Sequence, residues 1–592
     1  MKRKRRPVVP WLTEAALFAL LFAVCLLLAF RMNFKDGKPA GNGVFASDKS
    51  IYYVYLPATF IYGWDVNRFP HRCDTLYRGF ILDYKKGKVV NKMTCGVAIL
   101  WTPFFLATHT IAKVFALQPD GFSLFYQKMA LIPPVFFLLL GLFFLRRFLG
   151  RYFTGFVPWA VVLTVFTATN LWYFSLAEGL MSHVHSFFLF ALFLYLLKRF
   201  IDGESRSYRL FAWLCLVFAL AVLIRPTNVI ITLWFLLLDV KTGHDVLRRL
   251  RILLRPSWLL TFLGVTFLVL LPQMIYWKYV SGHFLHYSYG NEGFINWKNP
   301  VILPVWFSPF NGLFAYNPAV LFFVAGALWM VFRRKQNGRL IVLTFLLVTY
   351  MAGSWHMWFF GGSYGARPFI EYYTLLSVGL GWMLTWAFRH PNHLYRATLL
   401  LMLVGCSWFN LRMIDHNYWY NGSTWDWDEY RTRVEKAGIL QFDWDRYTCL
   451  NDYENMPFDP SLTQTSLRVH SRTQAAVIDN RWPFTGLLDR PLQGMVDHPP
   501  RHVEASVWIN PVWRDSTGAV LVASVEDDSH EPCFYRKVPV NRFGTSAGQW
   551  TKASLAFDIP SWLSDPAFRL KIYLWNRERR TMYIDDVKVV VE

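Results

Sequence analysis

MKRKRRPVVPWLTEAALFALLFAVCLLLAFR (residues 1–31) sets a basic head directly before the apolar run 11–31. A run of that length is enough to cross the roughly 30 Å hydrocarbon core of a bilayer as one helix. It lacks a small-residue cleavage site, so it reads as an uncleaved anchor with its N-terminus in the cytoplasm. This reading decides the fold, because comparable runs recur to about residue 412. Spans are expected near 11–31, 125–146, 155–174, 180–198, 209–224, 226–240, 257–279, 314–332, 339–355, 372–388 and 396–412. A chain of 592 residues with 54% hydrophobic and 18% aromatic side chains is therefore a polytopic α-helical membrane protein of about eleven spans, not an ordinary soluble enzyme.

The net charge of +22 is the kind of excess that attracts nucleic acid, but its distribution excludes that partner. The basic residues cluster in short loops between apolar runs: MKRKRR, RRFLGR (146–151), KRF with RSYR (198–209), RRLRILLR (248–255), RRK with Arg339, and RHPNHLYR (389–396). The intervening loops carry acids, aromatics and glycines, a positive-inside pattern. An odd number of spans then puts everything after residue 412 outside. The expected location is a bacterial inner membrane, with the C-terminal part extracytoplasmic. Cys73 and Cys95 fall on the outer side, where a disulfide between them is conceivable though not fixed by spacing.

Four segments remain on the outer side: 32–124, a tight turn near 175–185, and the loops 280–313 and 356–371. The first contains GVAILWTPFFLATHTIAKVFAL (96–117), which Pro103 and its hydrophilic flanks favour as an interfacial helix over a twelfth span. A break is expected at Arg225-Pro226, with one long kinked helix as the alternative. Beyond a connector at 413–460, residues 461–592 hold VEASVWIN (503–510), AVLVASVE (519–526), TKASLAFDI (551–559), FRLKIYLW (568–575) and YIDDVKVVV (583–591). Their period-two alternation and turns predict an antiparallel β-sandwich of jelly-roll type. Asn421-Gly422-Ser423 matches a glycosylation sequon.

Candidate chemistry gathers on the outer side. FASDKSIYYVYLPATFIYGWD (45–65) puts Asp48 ahead of Tyr52 and Tyr53. LAEGLMSHVHSFF (176–188) supplies Glu178, His183 and His185. Two histidines at i and i+2 share no helical face, so hydrogen bonds to a polar substrate suit them better than a metal. Arg225 and Arg367, costly to desolvate near a membrane, are the expected phosphate binders, with snorkelling to headgroups as the alternative. WFFGGSYGARPFIEYY (358–373) joins permissive glycines to Trp358 and Tyr364, aromatic faces for a sugar, and to Glu371.

In order along residues 11–412, four features resemble the GT-C superfold of membrane glycosyltransferases, related to the mannosyl- and aminoarabinose-transferase group. They are the acid-plus-tyrosine first loop, KMTCGVAILWTPFF (92–105), SPFNGLFAYNPAV (308–320) and WFFGGSYGARPF (358–369). The resemblance implies transfer of a sugar from a polyprenyl-phosphate carrier, with Asp48 as general base and inversion at the anomeric carbon. Lys92, Arg225 and Arg367 are the donor-phosphate candidates, because developing charge on a leaving phosphate calls for basic clamps. The acceptor would be a glycan, glycolipid or protein of the cell envelope. Relatives often carry two adjacent acids where this chain has Asp48-Lys49, which weighs against a metal-dependent reaction. No cofactor is expected, a divalent metal being the alternative. GQWTKASLAFDIP (548–560) and the final strand resemble a carbohydrate-binding jelly roll, in which Trp513 and Trp575 are either binding platforms or core. A transporter or flippase and a non-catalytic glycan-binding protein are the competing classes.

Overall fold

The computed structural model describes residues 11–592 except 36–37, 40–42, 72, 204–207, 291, 362, 421–426, 440–446, 452–461, 472–473, 479–482, 493–494, 497–499, 513–517, 528–530, 561–562 and 564–567. The basic head MKRKRR, the Asn421 sequon and Trp513 lie outside the described residues. The chain divides into two compact units, Met1–Ser423 and Thr424–Glu592. The last helix of the first unit, His393–Tyr420, runs on past residue 412.

Among the described residues of the first unit, six helices are long and apolar enough to cross a membrane, and five apolar helices are shorter. Gly96–Val114, expected at the interface, is one of the six by length and composition. Small residues let these helices meet closely, the usual device where lipid offers no hydrophobic drive to association. Ala319–Phe332 and Tyr373–Arg389 touch at Gly326 and Gly379, where a Cβ on either would fall 2.3 Å from a backbone oxygen of the other helix. At Gly141 a Cβ would fall 2.8 Å from the Phe187 ring, which lets Ile132–Leu149 lie against Ser182–Ile201.

The chain breaks at one expected junction and within one expected span. The Arg225-Pro226 break is real: Tyr208–Ile224 stops, Arg225 is extended (φ −147°, ψ 117°), and a 3₁₀ turn leads into Ile231–Leu237. The 155–174 run is divided into Val157–Thr167 and Leu171–Leu176. The carbonyls freed there are satisfied by a neighbour, as they must be in an apolar setting. Asn410 Nδ2 donates to Thr167 O at 2.9 Å and Thr169 O at 3.0 Å. Asn170 N donates to Asn317 Oδ1 at 2.5 Å.

Among its described residues the second unit pairs its strands antiparallel, beside a helix at Trp427–Lys436 and a 3₁₀ turn at Val540–Phe543. Its strands are β1 Tyr447–Asn451, β2 Leu462–Thr465, β3 Ala475–Ile478, β4 Phe484–Pro491, β5 His502–Pro511, β6 Ala519–Glu526, β7 Pro532–Pro539, β8 Thr551–Asp558, β9 Arg569–Asn576 and β10 Met582–Val591. One sheet runs β7-β6-β9-β4; the other runs β8-β5-β10-β3-β2, with β1 also pairing β10. Alternate residues of both sheets, among them Leu521, Ala523, Ile572, Leu574, Val507 and Ile584, fill one apolar core. Strand β1 thus draws part of the expected connector into this unit, Val591 standing opposite Tyr447. Trp575 alternates with the core residues Leu574 and Ile572 and so stands on the outer face of its sheet, stacked with Phe484 at 5.8 Å.

Candidate functional site

Asp48 opens the six-residue helix Asp48–Tyr53. The residue before it, Ser47, holds an uncommon positive φ of 55°. Ser47 N donates to Tyr77 O at 2.7 Å, while Ser47 O accepts from Ser50 N and Ser50 Oγ at 3.0 and 2.8 Å. Gly79 makes the close approach possible, since a Cβ there would lie 2.4 Å from Ser47 O and 1.9 Å from Ser50 Oγ. A strained, over-determined backbone of this kind aims a side chain at fixed stability cost.

Arg367 is carried by the 358–373 loop, whose path needs left-handed backbone at Phe360, Gly361 and Gly365. At Gly365 (φ 68°) a Cβ would also fall 2.6 Å from Asn317 Nδ2. The SPFNGLFAYNPAV segment braces this loop: Asn311 Nδ2 donates to Phe359 O and Gly361 O, both at 2.8 Å. Two of the four stretches that carry the resemblance, 308–320 and 358–369, therefore fold as one support. Arg367 Nη2 reaches to 3.7 Å from Asp48 Oδ2.

Arg225, freed from helix geometry by Pro226, points its guanidinium at Glu371, with Nη1 2.7 Å from Oε1. Glu371 is 1% exposed, and its Oε2 lies 3.3 Å from His183 Nδ1. His183 Nδ1 is also 3.1 Å from Arg225 Nη1. A ring nitrogen cannot accept from the guanidinium and donate to the carboxylate at once, so the His183 tautomer selects one of these two bonds. Lys92 Nζ meets both carboxylate oxygens of Glu292 at 3.0 and 3.3 Å.

These groups face a single cavity of about 450 Å³, within the usual range for small-ligand sites. Its wall includes Asp48, Tyr52, Lys92, His183, Arg225, Arg367 and Glu371, together with Tyr289, Glu292, Trp355, His356 and Phe360. Tyr52 donates its hydroxyl to Ser182 Oγ at 3.2 Å, and burial raises its pKa, so it serves as a donor and not as a base. Burial lowers the His356 pKa and keeps that ring neutral near pH 7. Among the described residues, no group of three His, Cys, Asp or Glu side chains is arranged to hold a metal.

Five of the expected site residues do not line this cavity. Tyr53 stacks on Phe45 at 4.0 Å and gives its hydroxyl to Gly121 O. Glu178 pairs with Lys49 at 3.1 Å. His185 spends both ring nitrogens inside the helix bundle, Nε2 accepting from Trp101 Nε1 at 2.6 Å and Nδ1 facing Met181 O at 3.0 Å. Trp358 packs edge-on against Phe359, and fully buried Tyr364 gives its hydroxyl to Asn410 Oδ1 at 3.1 Å. Cys73 and Cys95 are separate buried thiols, so the conceivable disulfide between them is not formed. Conversely, Tyr289, Glu292 and His356 come from the 280–313 and 356–371 loops and Trp355 from the last residue of the expected span 339–355, where the side chains carry no periodic signal.

No family model matches the chain, and no curated protein matches its sequence. Among solved structures, it is similar to the oligosaccharyltransferase of Archaeoglobus fulgidus in the apo form, at 12% identity and a TM-score of 0.42 over 72% of this chain and 60% of that one. Arabinosyltransferase EmbB from Mycobacterium smegmatis is similar at 11% identity and a TM-score of 0.36, over 99% of this chain and 66% of that one. The CBM22-1 xylan-binding domain of Paenibacillus barcinonensis Xyn10C is similar at 12% identity and a TM-score of 0.19, over 26% of this chain and 97% of that domain. The chain spans less than two thirds of the length of the oligosaccharyltransferase.

Proposed function

We propose that the chain is a membrane glycosyltransferase that moves a sugar from a polyprenyl-phosphate carrier to a cell-envelope acceptor at the outer face of a bacterial-type membrane. The observation that carries this reading is one cavity presenting a carboxylate, Asp48, and three basic side chains, Lys92, Arg225 and Arg367. Glycosyl transfer asks for that combination. The acceptor oxygen attacks the anomeric carbon as Asp48 takes its proton, the bond from that carbon to the phosphate oxygen breaks, and the lipid phosphate departs with the electron pair. Preorganised guanidinium and ammonium groups favour the charge that develops on the leaving phosphate.

The roles divide by geometry. Asp48 and Arg367 sit 3.7 Å apart, so a single reacting group can touch both. Glu371 and His183 fix Arg225 and act through it. Tyr52 offers a hydroxyl to sugar or phosphate oxygens. In the second unit, Phe484, Tyr573 and Trp575 share the outer face of the β7-β6-β9-β4 sheet and support glycan holding. Rings of this kind present an apolar surface on which a sugar can stack.

The test is product release. Purified protein in nanodiscs is offered a pool of polyprenyl-phosphate sugars with crude envelope acceptor, and free polyprenyl phosphate is followed by mass spectrometry. Release that requires both protein and a sugar-loaded carrier is expected. No release from any loaded carrier overturns the reading.

A further inference from the structure

The three cations of the cavity are not held alike. Arg225 faces a carboxylate that is almost wholly buried and shared with His183. Arg367 and Asp48 meet only at 3.7 Å. Lys92 and Glu292 form a close two-oxygen contact, yet their side chains remain 35% and 38% exposed. They are also brought together from segments two hundred residues apart in sequence.

Charge counting gives this contact a role. Among the described residues lining the cavity, Lys92, Arg225 and Arg367 are balanced by Asp48, Glu292 and Glu371. A neutral cavity offers a phosphodiester little net attraction. Asp48 is needed for the chemistry, and Glu371 is locked beneath Arg225. Glu292 is the acid that can leave, and a singly charged phosphodiester presents two oxygens to Lys92 much as the carboxylate does. Moving Glu292 out leaves one positive charge for one negative ligand.

The backbone around Glu292 is built to permit that exchange. The helix Pro256–Ser281 ends at Gly282, with φ 84°, and Gly290 has φ 60°. The far part of the loop is tied to its neighbour by backbone bonds: Asn296 N to Ser354 O at 3.1 Å, Val301 N to Gly353 O at 3.0 Å, and His356 N to Gly293 O at 2.9 Å. The near part is fastened to the Lys92 segment only through side chains among the bonds described. Ser288 Oγ donates to Lys92 O at 2.5 Å, and Tyr289 OH reaches Met93 Sδ at 3.1 Å.

We infer that Glu292 occupies the seat of the donor phosphate, and that residues 283–290 together with Glu292 form a latch which a lipid phosphate opens by displacing this carboxylate from Lys92. The inference rests on the proposed donor class and adds to it which contact must break before the donor binds. A partly exposed ion pair contributes little, so opening it weakens apparent donor affinity by only about 2- to 6-fold.

The experiment titrates polyprenyl phosphate into nanodisc-held wild type, Glu292→Gln and Lys92→Gln, with binding read by native mass spectrometry and folding checked by thermal unfolding. Glu292→Gln is expected to bind about 2- to 6-fold more tightly than wild type, and Lys92→Gln more weakly. The advantage of Glu292→Gln should shrink as salt rises, since a partly exposed pair is screened; a merely structural residue gives no such trend. Hydrogen exchange across 283–290 should be faster in ligand-free Glu292→Gln than in wild type. Affinity equal to or weaker than wild type in a folded Glu292→Gln overturns the latch while leaving the donor reading intact. No binding by any of the three proteins removes the donor reading and the latch together. Competition by inorganic phosphate at equal concentration, or by a nanodisc lipid such as phosphatidylglycerol, overturns the assignment of the seat to the prenyl lipid.

Discussion

Replacing Glu371 by Gln removes one charge and leaves nearly every atom in place, so its consequences can be worked from the geometry. Glu371 is 1% exposed and serves both Arg225, at 2.7 Å, and His183, at 3.3 Å. Deleting one member of a buried pair typically costs 3–5 kcal/mol, because the other charge stays desolvated without compensation. Arg225 is about one-fifth exposed and recovers some water, so the lower end, about 3 kcal/mol, is expected. Arg225→Gln should cost a similar amount. The double variant should cost far less than the sum, which gives a coupling energy of about 2–3 kcal/mol. Thermal unfolding in nanodiscs across the four proteins measures this. Additivity within about 0.5 kcal/mol would show that the pair is not coupled, and Glu371 could then no longer be said to position Arg225.

Gly365→Ala should destabilise the first unit by about 2 kcal/mol or more, from a forced left-handed alanine and a Cβ 2.6 Å from Asn317 Nδ2; an unchanged unfolding temperature would contradict the loop geometry. In the second unit, the Asp558 carboxylate at 2.6 Å from Nδ1 raises the His502 pKa. A raised folded-state pKa means this stabilisation is fully present below the unfolded value near 6.5 and is lost as pH rises through the folded value. The unfolding temperature of that unit should therefore fall slightly between about pH 6 and pH 9, and Asp558→Asn should flatten the slope. Trp575→Ala should weaken retention on an immobilised glycan by about tenfold or more if the outer sheet face holds sugar, with the fold preserved because the ring lies outside the core.

Much of the arrangement was legible because its causes are local. Pro226 has no N–H and restricts the residue before it, so a break at Arg225 could be read from two letters. Alternation in AVLVASVE and FRLKIYLW gave strands that pair with Leu521 opposite Leu574. Other features depend on tertiary partners. The division at Thr169 and Asn170 is sustained by Asn410, and hydropathy alone shows a single apolar run there. Tyr53, His185 and Tyr364 looked like mouth residues, and a polar aromatic near a helix end reads the same whether its hydroxyl or ring nitrogen meets a ligand or a backbone carbonyl. Glu292 was invisible for the opposite reason. Nothing near it in sequence predicts that Lys92 will be its partner.

The central claim is that Asp48 takes the acceptor proton. Its most direct test is sugar transfer by Asp48→Asn against wild type in nanodiscs, with folding verified by thermal unfolding. General base catalysis contributes typically 10²–10⁴-fold, so turnover should fall on that scale while polyprenyl phosphate still binds. Turnover within a few-fold of wild type would place the base elsewhere and contradict the account.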